Sequence, residues 1–117
     1  MKSNWQKGRQ GEKLANDFLR KKGFKILDIN WRFQHKEIDI VAMKDNEIVF
    51  VEVKSRRNTT FGQPEEAVDH KKKKHLIEAA EAYIIDKDIN LNVRFDVISI
   101  INNSQIRHYP NAFYPEF

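Results

Sequence analysis

Glu37–Lys54 reads E-I-D-I-V-A-M-K-D-N-E-I-V-F-V-E-V-K, two apolar runs around the polar knot Lys44-Asp45-Asn46-Glu47. The first run alternates, with Ile38, Ile40 and Ala42 on one side and Asp39 and Val41 on the other. The second sets Val49, Val51 and Val53 against Phe50, Glu52 and Lys54. β-Branched residues dominate both runs, and Asp-Asn tolerates the backbone angles of a tight turn. The stretch predicts a β-hairpin. With Asp45 and Asn46 at the tip, Lys44 faces Glu47, Met43 faces Ile48 and, carried outward, Asp39 faces Glu52. Opposed side chains in an antiparallel pair lie about 4.5–5.5 Å apart at Cβ, so these two carboxylates repel. A divalent cation reverses the sign of that interaction, because Mg²⁺ is held through one or two carboxylates together with waters and substrate phosphates. Lys54 projects on the face of Glu52, placed to steady a water or a phosphate oxygen. The plain alternative keeps the same register: Glu37 faces Lys54 as an ordinary cross-strand ion pair, and Asp39 and Glu52 each meet a basic partner or a wet sheet end. A slip of one residue would also carry Asp39 to the other face.

Composition bounds the function. A chain of 117 residues predicts one domain over 1–117, with enough apolar content for one core. Eight Phe, three Tyr and two Trp exclude a disordered chain. Lys and Arg number 21 against 17 acids, a net charge of +4 and a pI near 9.3, which suits a polyanionic partner. The absence of cysteine excludes disulfides, thiolate metal sites and thiol catalysis together. Met1–Gln10 lacks the apolar core of a signal peptide and no stretch reaches membrane-span length, so a cytoplasmic setting without a membrane partner is expected. The chain contains no internal repeat, Gly-rich phosphate loop, Ser/His/Asp order or zinc-ligand spacing.

Outside the hairpin the periodicity changes. Leu14, Ala15, Phe18 and Leu19 recur at helical spacing over Lys7–Lys22, and Gly23 supplies a stop. Glu12, beside Gly11 at the edge of that stripe, reads by itself as a solvated acid that complements the helix dipole. Phe24–Ile29 predicts a strand that continues or turns out through Asn30-Trp31-Arg32-Phe33, with Trp31 and Phe33 as sheet cover and His35 at the surface. After Lys54 comes a polar, basic loop, Ser55–Pro64, in which Arg56 and Arg57 suit sugar–phosphate contacts or merely solvate a connector. A second helix starts between Pro64 and Asp69 and runs to about Asp86, burying Leu76, Ala79, Ala80, Tyr83 and Ile84. Lys71–Lys74 point all round its first turns, either as a solvated face or as an extension of a positive surface. Asn92–Ile101 predicts a strand parallel to Ile48–Lys54, since a helix intervenes. Asn102–Gln105 turns into an edge strand, Ile106–Tyr109, which Pro110 ends. The aromatics Phe113, Tyr114 and Phe117 are expected to dock on the body of the fold or on a second copy in a homodimer.

The order helix, three strands, helix, strand, with an Asp on the second strand and Glu-x-Lys on the third, resembles the restriction-endonuclease-like PD-(D/E)xK nucleases. More narrowly, the chain is similar to the YraN-type family of predicted nucleases, related to archaeal Holliday junction resolvases. The text that carries the resemblance is Gly8-Arg9-Gln10-Gly11-Glu12 with Ala15, Asn30-Trp31-Arg32, Glu37-Ile38-Asp39, Val49–Lys54 with Arg56, Phe61-Gly62 with Ala67-Val68, Lys71 and Ala80, and Arg94-Phe95-Asp96-Val97. A bare Asp…Glu-x-Lys is weak; the ordered set over most of the chain is specific. The resemblance implies an α/β, restriction-endonuclease-like mixed sheet in the order α-β-β-β-α-β with a C-terminal edge strand. It also implies Asp39, Glu52 and the Val53 carbonyl as ligands of Mg²⁺ or Mn²⁺, Lys54 as the residue that orients the attacking water, and Glu12 as a site residue brought by the first helix. The family usually has Gly before Glu-Ile-Asp; here Lys36 stands in that place and bears on close substrate approach.

The expected function is a metal-dependent endonuclease acting on DNA, in particular branched or otherwise structured DNA, with Arg9, Arg32, Arg56, Arg57, Lys71, Lys72 and Lys74 gripping the backbone. A different class is a nucleic-acid-binding module on the same scaffold without turnover, whose binding is indifferent to Asp39 and to metal. A third is an interaction protein whose aromatic tail meets a partner.

Overall fold

The computed structural model describes residues 4–56 and 70–113. Among these, helix α1 (Asn4–Lys21) is followed by strands β1 (Lys25–Phe33), β2 (Lys36–Lys44) and β3 (Glu47–Arg56), helix α2 (His70–Asp86), and strands β4 (Asn92–Ile101) and β5 (Gln105–Phe113). The five strands form one mixed sheet in the order β1-β2-β3-β4-β5. β3 and β4 run parallel and every other neighbouring pair is antiparallel. The single parallel pair is the one separated by a helix, as a crossover requires.

Each helix covers one face. Alternation along β3 sends Ile48 and Phe50 to one cluster with Leu76, Ala79, Ala80 and Tyr83 of α2, and Val49 and Val51 to another with Ala15 and Leu19 of α1. β4 does the same with Phe95 and Val97 against Ile98 and Ile100. Two apolar layers on one sheet explain why β3 and β4 are apolar on both sides. The tip of the hairpin has Asp45 at φ 52° and Asn46 at φ 63°, the two left-handed residues of a type I′ turn. That turn sets the register expected from the sequence, from Lys44↔Glu47 to Ile40↔Val51.

The helix ends follow one rule. Gly23 (φ 91°) closes α1: its N–H donates to Arg20 O at 3.0 Å and Phe24 N–H donates to Leu19 O at 3.0 Å. At the end of α2, Asp88 (φ 51°) takes the same place, with Asp88 N–H on Ile85 O at 3.3 Å and Ile89 N–H on Ile84 O at 3.0 Å. Both are Schellman caps, sealed by Phe24 near Leu19 and Ile89 near Ile84.

Three expectations need correction. α1 begins at Asn4, three residues before the expected Lys7. β5 passes through Pro110 instead of ending there. The register slips between Phe95↔Phe113 and Val97↔Tyr109, so an edge bulge with Asn111 at φ 52° absorbs the proline. Asp96, fully buried opposite that bulge, accepts from Asn111 N–H at 3.1 Å and from Arg94 Nε at 2.9 Å, and lies 2.6 Å from His108 Nε2. Finally, β2 does not alternate through Asp39. Ile38 packs with Val41 under α2, whereas Ile40 and Ala42 pack under α1. Residues of odd spacing thus share a face, and the break falls where Asn30, at φ 53°, lies across from Asp39 on β1. Phe113 is buried on Phe95, their rings 5.0 Å apart; Tyr114 and Phe117 lie outside the described residues.

Candidate functional site

The break in β2 opens the sheet. The β2–β3 ladder stops at Ile40↔Val51, so Asp39 and Glu52 are not a ladder pair as the register implied. Asp39 reaches across instead, and Val53 N–H donates to its Oδ2 at 2.8 Å. A side-chain oxygen thus satisfies a backbone donor that the parted strands would otherwise leave open. Glu37 does not meet Lys54 either: it sits 3.3 Å from Arg32 on β1, and Lys54 turns to Glu52 at 3.5 Å.

Acids from three directions converge on this gap. One carboxylate oxygen each of Glu12 on α1 and of Glu37 and Asp39 on β2 lie within 4.8 Å of one another. Gly11 permits the approach of α1, since a Cβ there would stand 2.6 Å from Ser55 Oγ on β3. Glu52 enters from β3, on the face covered by α2, and is 4% exposed. Its Oε1 meets Lys54 at 3.5 Å and Lys72 of α2 at 3.7 Å, while its Oε2 is buried without a hydrogen-bond partner among the described residues.

The electrostatics agree with the geometry. Burial first, then the charge of Glu52, pushes the Asp39 carboxyl up to about 7; the Val53 N–H pulls against this, and Glu12 adds a further upward push. Burial likewise raises Glu52, opposed by Lys72 and Lys54. Glu52 thus hinders the ionisation of Asp39, and both acids sit in a dry place. Such groups cluster at functional sites, where a cation or a proton resolves the conflict.

This donor set fits a hard divalent cation. The donors are all oxygens, they come from rigid strands and one helix, and one buried carboxylate oxygen lacks a donor among the described residues. Asp39 and Glu52 were legible in the sequence, and Glu12 came through the resemblance. Glu37 was missed. Its signal was the i, i+2 spacing to Asp39, obscured by assuming that the ladder runs to the strand ends. Lys36, which precedes Glu37, pairs with Glu78 of α2 at 2.9 Å.

The expected phosphate-binding cations divide. Lys71 and Lys74 are exposed on α2, Lys73 lies over the Phe113 ring, and Lys72 faces Glu52. The Arg32 side chain is 74% exposed while holding Glu37. Arg56 ends β3, where its carbonyl accepts from Asn102 N–H at 2.8 Å. Arg9 lies within α1, and Arg57 falls outside the described residues.

Comparison with known proteins places the chain. The sequence profile of the uncharacterised protein family UPF0102 matches residues 11–100, a span that includes Glu12, Asp39, Glu52, Lys54 and Lys72. The chain belongs to this family. A UPF0102 protein of Bacteroides thetaiotaomicron is 50% identical over 111 residues, 92% of each chain. One from Persephonella marina is 47% identical over 94% of this chain and 95% of its own. One from Clostridioides difficile is 48% identical over 95% and 99%. Among the described residues, no helix of this UPF0102 chain is long and apolar enough to cross a membrane.

Proposed function

We propose that the gap between β2 and β3 is the active site of a metal-dependent endonuclease that hydrolyses phosphodiester bonds in DNA, with branched or otherwise structured DNA as the substrate class. The observation that carries this reading is the convergence of Asp39, Glu12 and Glu37 beside a buried Glu52 whose Oε2 has no donor among the described residues. The order of elements and the parting of the two central hairpin strands support a restriction-endonuclease-like fold.

Asp39, Glu52 and the Val53 carbonyl would hold Mg²⁺ or Mn²⁺, with Glu12 and Glu37 completing the acidic wall. The ion supplies Lewis-acid polarisation of the scissile phosphate and makes water acidic enough to serve as a nucleophile near neutral pH. The chain's own residues do the rest. Val53 N–H fixes the orientation of the Asp39 carboxylate, so the site is organised before substrate arrives. Lys54, next to Glu52 on the same face, orients the attacking water and offsets negative charge at the phosphate. Arg32, Arg56, Lys71 and Lys74 attract the backbone irrespective of sequence, a contribution that falls as salt rises.

The test is a cleavage assay on linear duplex, single-stranded, flapped and four-way DNA with Mg²⁺ or Mn²⁺. Cutting of at least one substrate is expected, reduced by about 10²-fold or more in Asp39→Ala and Glu52→Ala. Variants that cut as well as the parent would refute the assignment.

A further inference from the structure

Lys72 occupies an unexpected place. Lys72, Leu76, Ala79, Ala80 and Tyr83 follow one another at i, i+4, i+7, i+8 and i+11, and the last four are the buried stripe of α2. A lysine thus stands where the stripe calls for an apolar residue. Its neighbours Lys71 and Lys74 face solvent. Lys72 instead puts its ammonium 3.7 Å from Glu52 Oε1, with 37% of its side chain still exposed.

We infer that Lys72 is a stand-in for the divalent cation at Glu52, and that loading the site turns its charge outward to a DNA phosphate. The inference rests on the nuclease reading above. Buried carboxylates demand a counter-charge. Here Lys54 and Lys72 share one oxygen at 3.5 and 3.7 Å, longer than the 2.7–2.9 Å or so of a strong charged hydrogen bond, so both contacts are readily exchanged. A dication beside Glu52 makes a second and a third positive charge redundant and mutually repulsive. Lys54 is tied to the strand, two residues along from Glu52. Lys72 hangs from a separate helix on a flexible stem, next to Lys71 and Lys74, so it is the one that leaves. Metal and Lys72 therefore compete for Glu52, and the basic first turns of α2 gain a phosphate contact only when the site is loaded. This couples metal loading to the grip on DNA, and Lys72 is a positioning residue acting through Glu52.

Two measurements on the full chain test this. Calorimetric titration with Mn²⁺ at pH 8 should give about tenfold tighter binding in Lys72→Met than in the parent, because the competing charge is gone. Lys72→Arg should bind like the parent, and thermal melts confirm that both fold. Anisotropy titration of a duplex oligonucleotide over a salt series, with Ca²⁺ or with EDTA, should show a log K against log salt slope steeper by about 0.9 in Ca²⁺ for the parent. Lys72→Met should show no such change. Mn²⁺ affinity unaltered in Lys72→Met, or a Ca²⁺-dependent slope that persists there, overturns the inference and leaves the metal site standing. Absence of saturable Mn²⁺ binding in the parent overturns both.

Discussion

Replacing Asp39 by Asn should make the metal-free protein more stable at pH 8, although it deletes a charged group from the candidate site. Asn keeps the shape and can still accept from Val53 N–H, the bond that Asp39 Oδ2 makes at 2.8 Å. It removes the repulsion with Glu52 and Glu12 and the burial of charge that together lift Asp39 from 3.8 to about 7. At about 1.4 kcal/mol per pH interval, that displacement corresponds to an upper bound of about 4 kcal/mol. Glu52 is raised with it and shares the cost, and a neutral acceptor weakens the Val53 bond by about 1 kcal/mol, leaving about 2–3 kcal/mol. The sign follows from linkage. The folded value lies above the unfolded one, so the contribution of Asp39 is favourable below about pH 4 and is lost as pH rises through 7. Urea denaturation in EDTA at pH 5, 6, 7 and 8 should show the gap opening with pH. Mn²⁺ should then stabilise the parent and not Asp39→Asn. A gap that is constant with pH, or a variant that is the weaker protein at pH 8, would refute the reasoning.

Three further outcomes follow from the packing. Gly11→Ala should be more favourable in a Ser55→Ala background than in the parent, by about 0.5–1 kcal/mol in a double-mutant cycle, because the added methyl overlaps Ser55 Oγ at 2.6 Å, whereas its next neighbour, Ile100 Cδ1, is at an ordinary 3.6 Å. Asp88→Gly should stabilise the chain by about 0.5–1 kcal/mol in thermal unfolding, since Asp88 caps α2 at φ 51° and glycine carries no steric cost there. Asp96→Ala should cost about 3–5 kcal/mol by leaving Arg94 without its buried counter-charge. Burial works against the Asp96 charge, but His108, Arg94 and Asn111 N–H outweigh it and hold its carboxyl below the usual range. The stability it contributes is present above about pH 4 and lost in acid, a limb of the acid-unfolding curve that Asp96→Asn should lack.

What the sequence carried was local. Alternation between Ile48 and Val53, the Asp45-Asn46 turn and the Gly23 stop are short-range signals, and the register of the hairpin and the end of α1 follow from them. The helix between β3 and β4 likewise made their parallel pairing legible. Departures come from contacts between distant segments. The left-handed Asn30 on β1 lies across from the point where β2 breaks step, and nothing in Glu37–Met43 marks it. That break stops the ladder at Ile40, turns Asp39 to Val53 and frees Glu37 to join the acids, so one long-range feature accounts for three differences at the site. The passage of β5 through Pro110 depends on Asp96, fifteen residues from its partner Asn111. Lys72 was half legible: its spacing to Leu76 places it on the inner stripe, but four consecutive lysines read as one solvated surface.

The most direct measurement is the anomalous-difference map of a crystal soaked in Mn²⁺. A peak is predicted in the β2–β3 gap, about 2–2.5 Å from oxygens of Asp39 and Glu52 and from the Val53 carbonyl, with the Lys72 ammonium displaced from Glu52. A map with no density there, or with manganese only on scattered surface acids, would contradict the account.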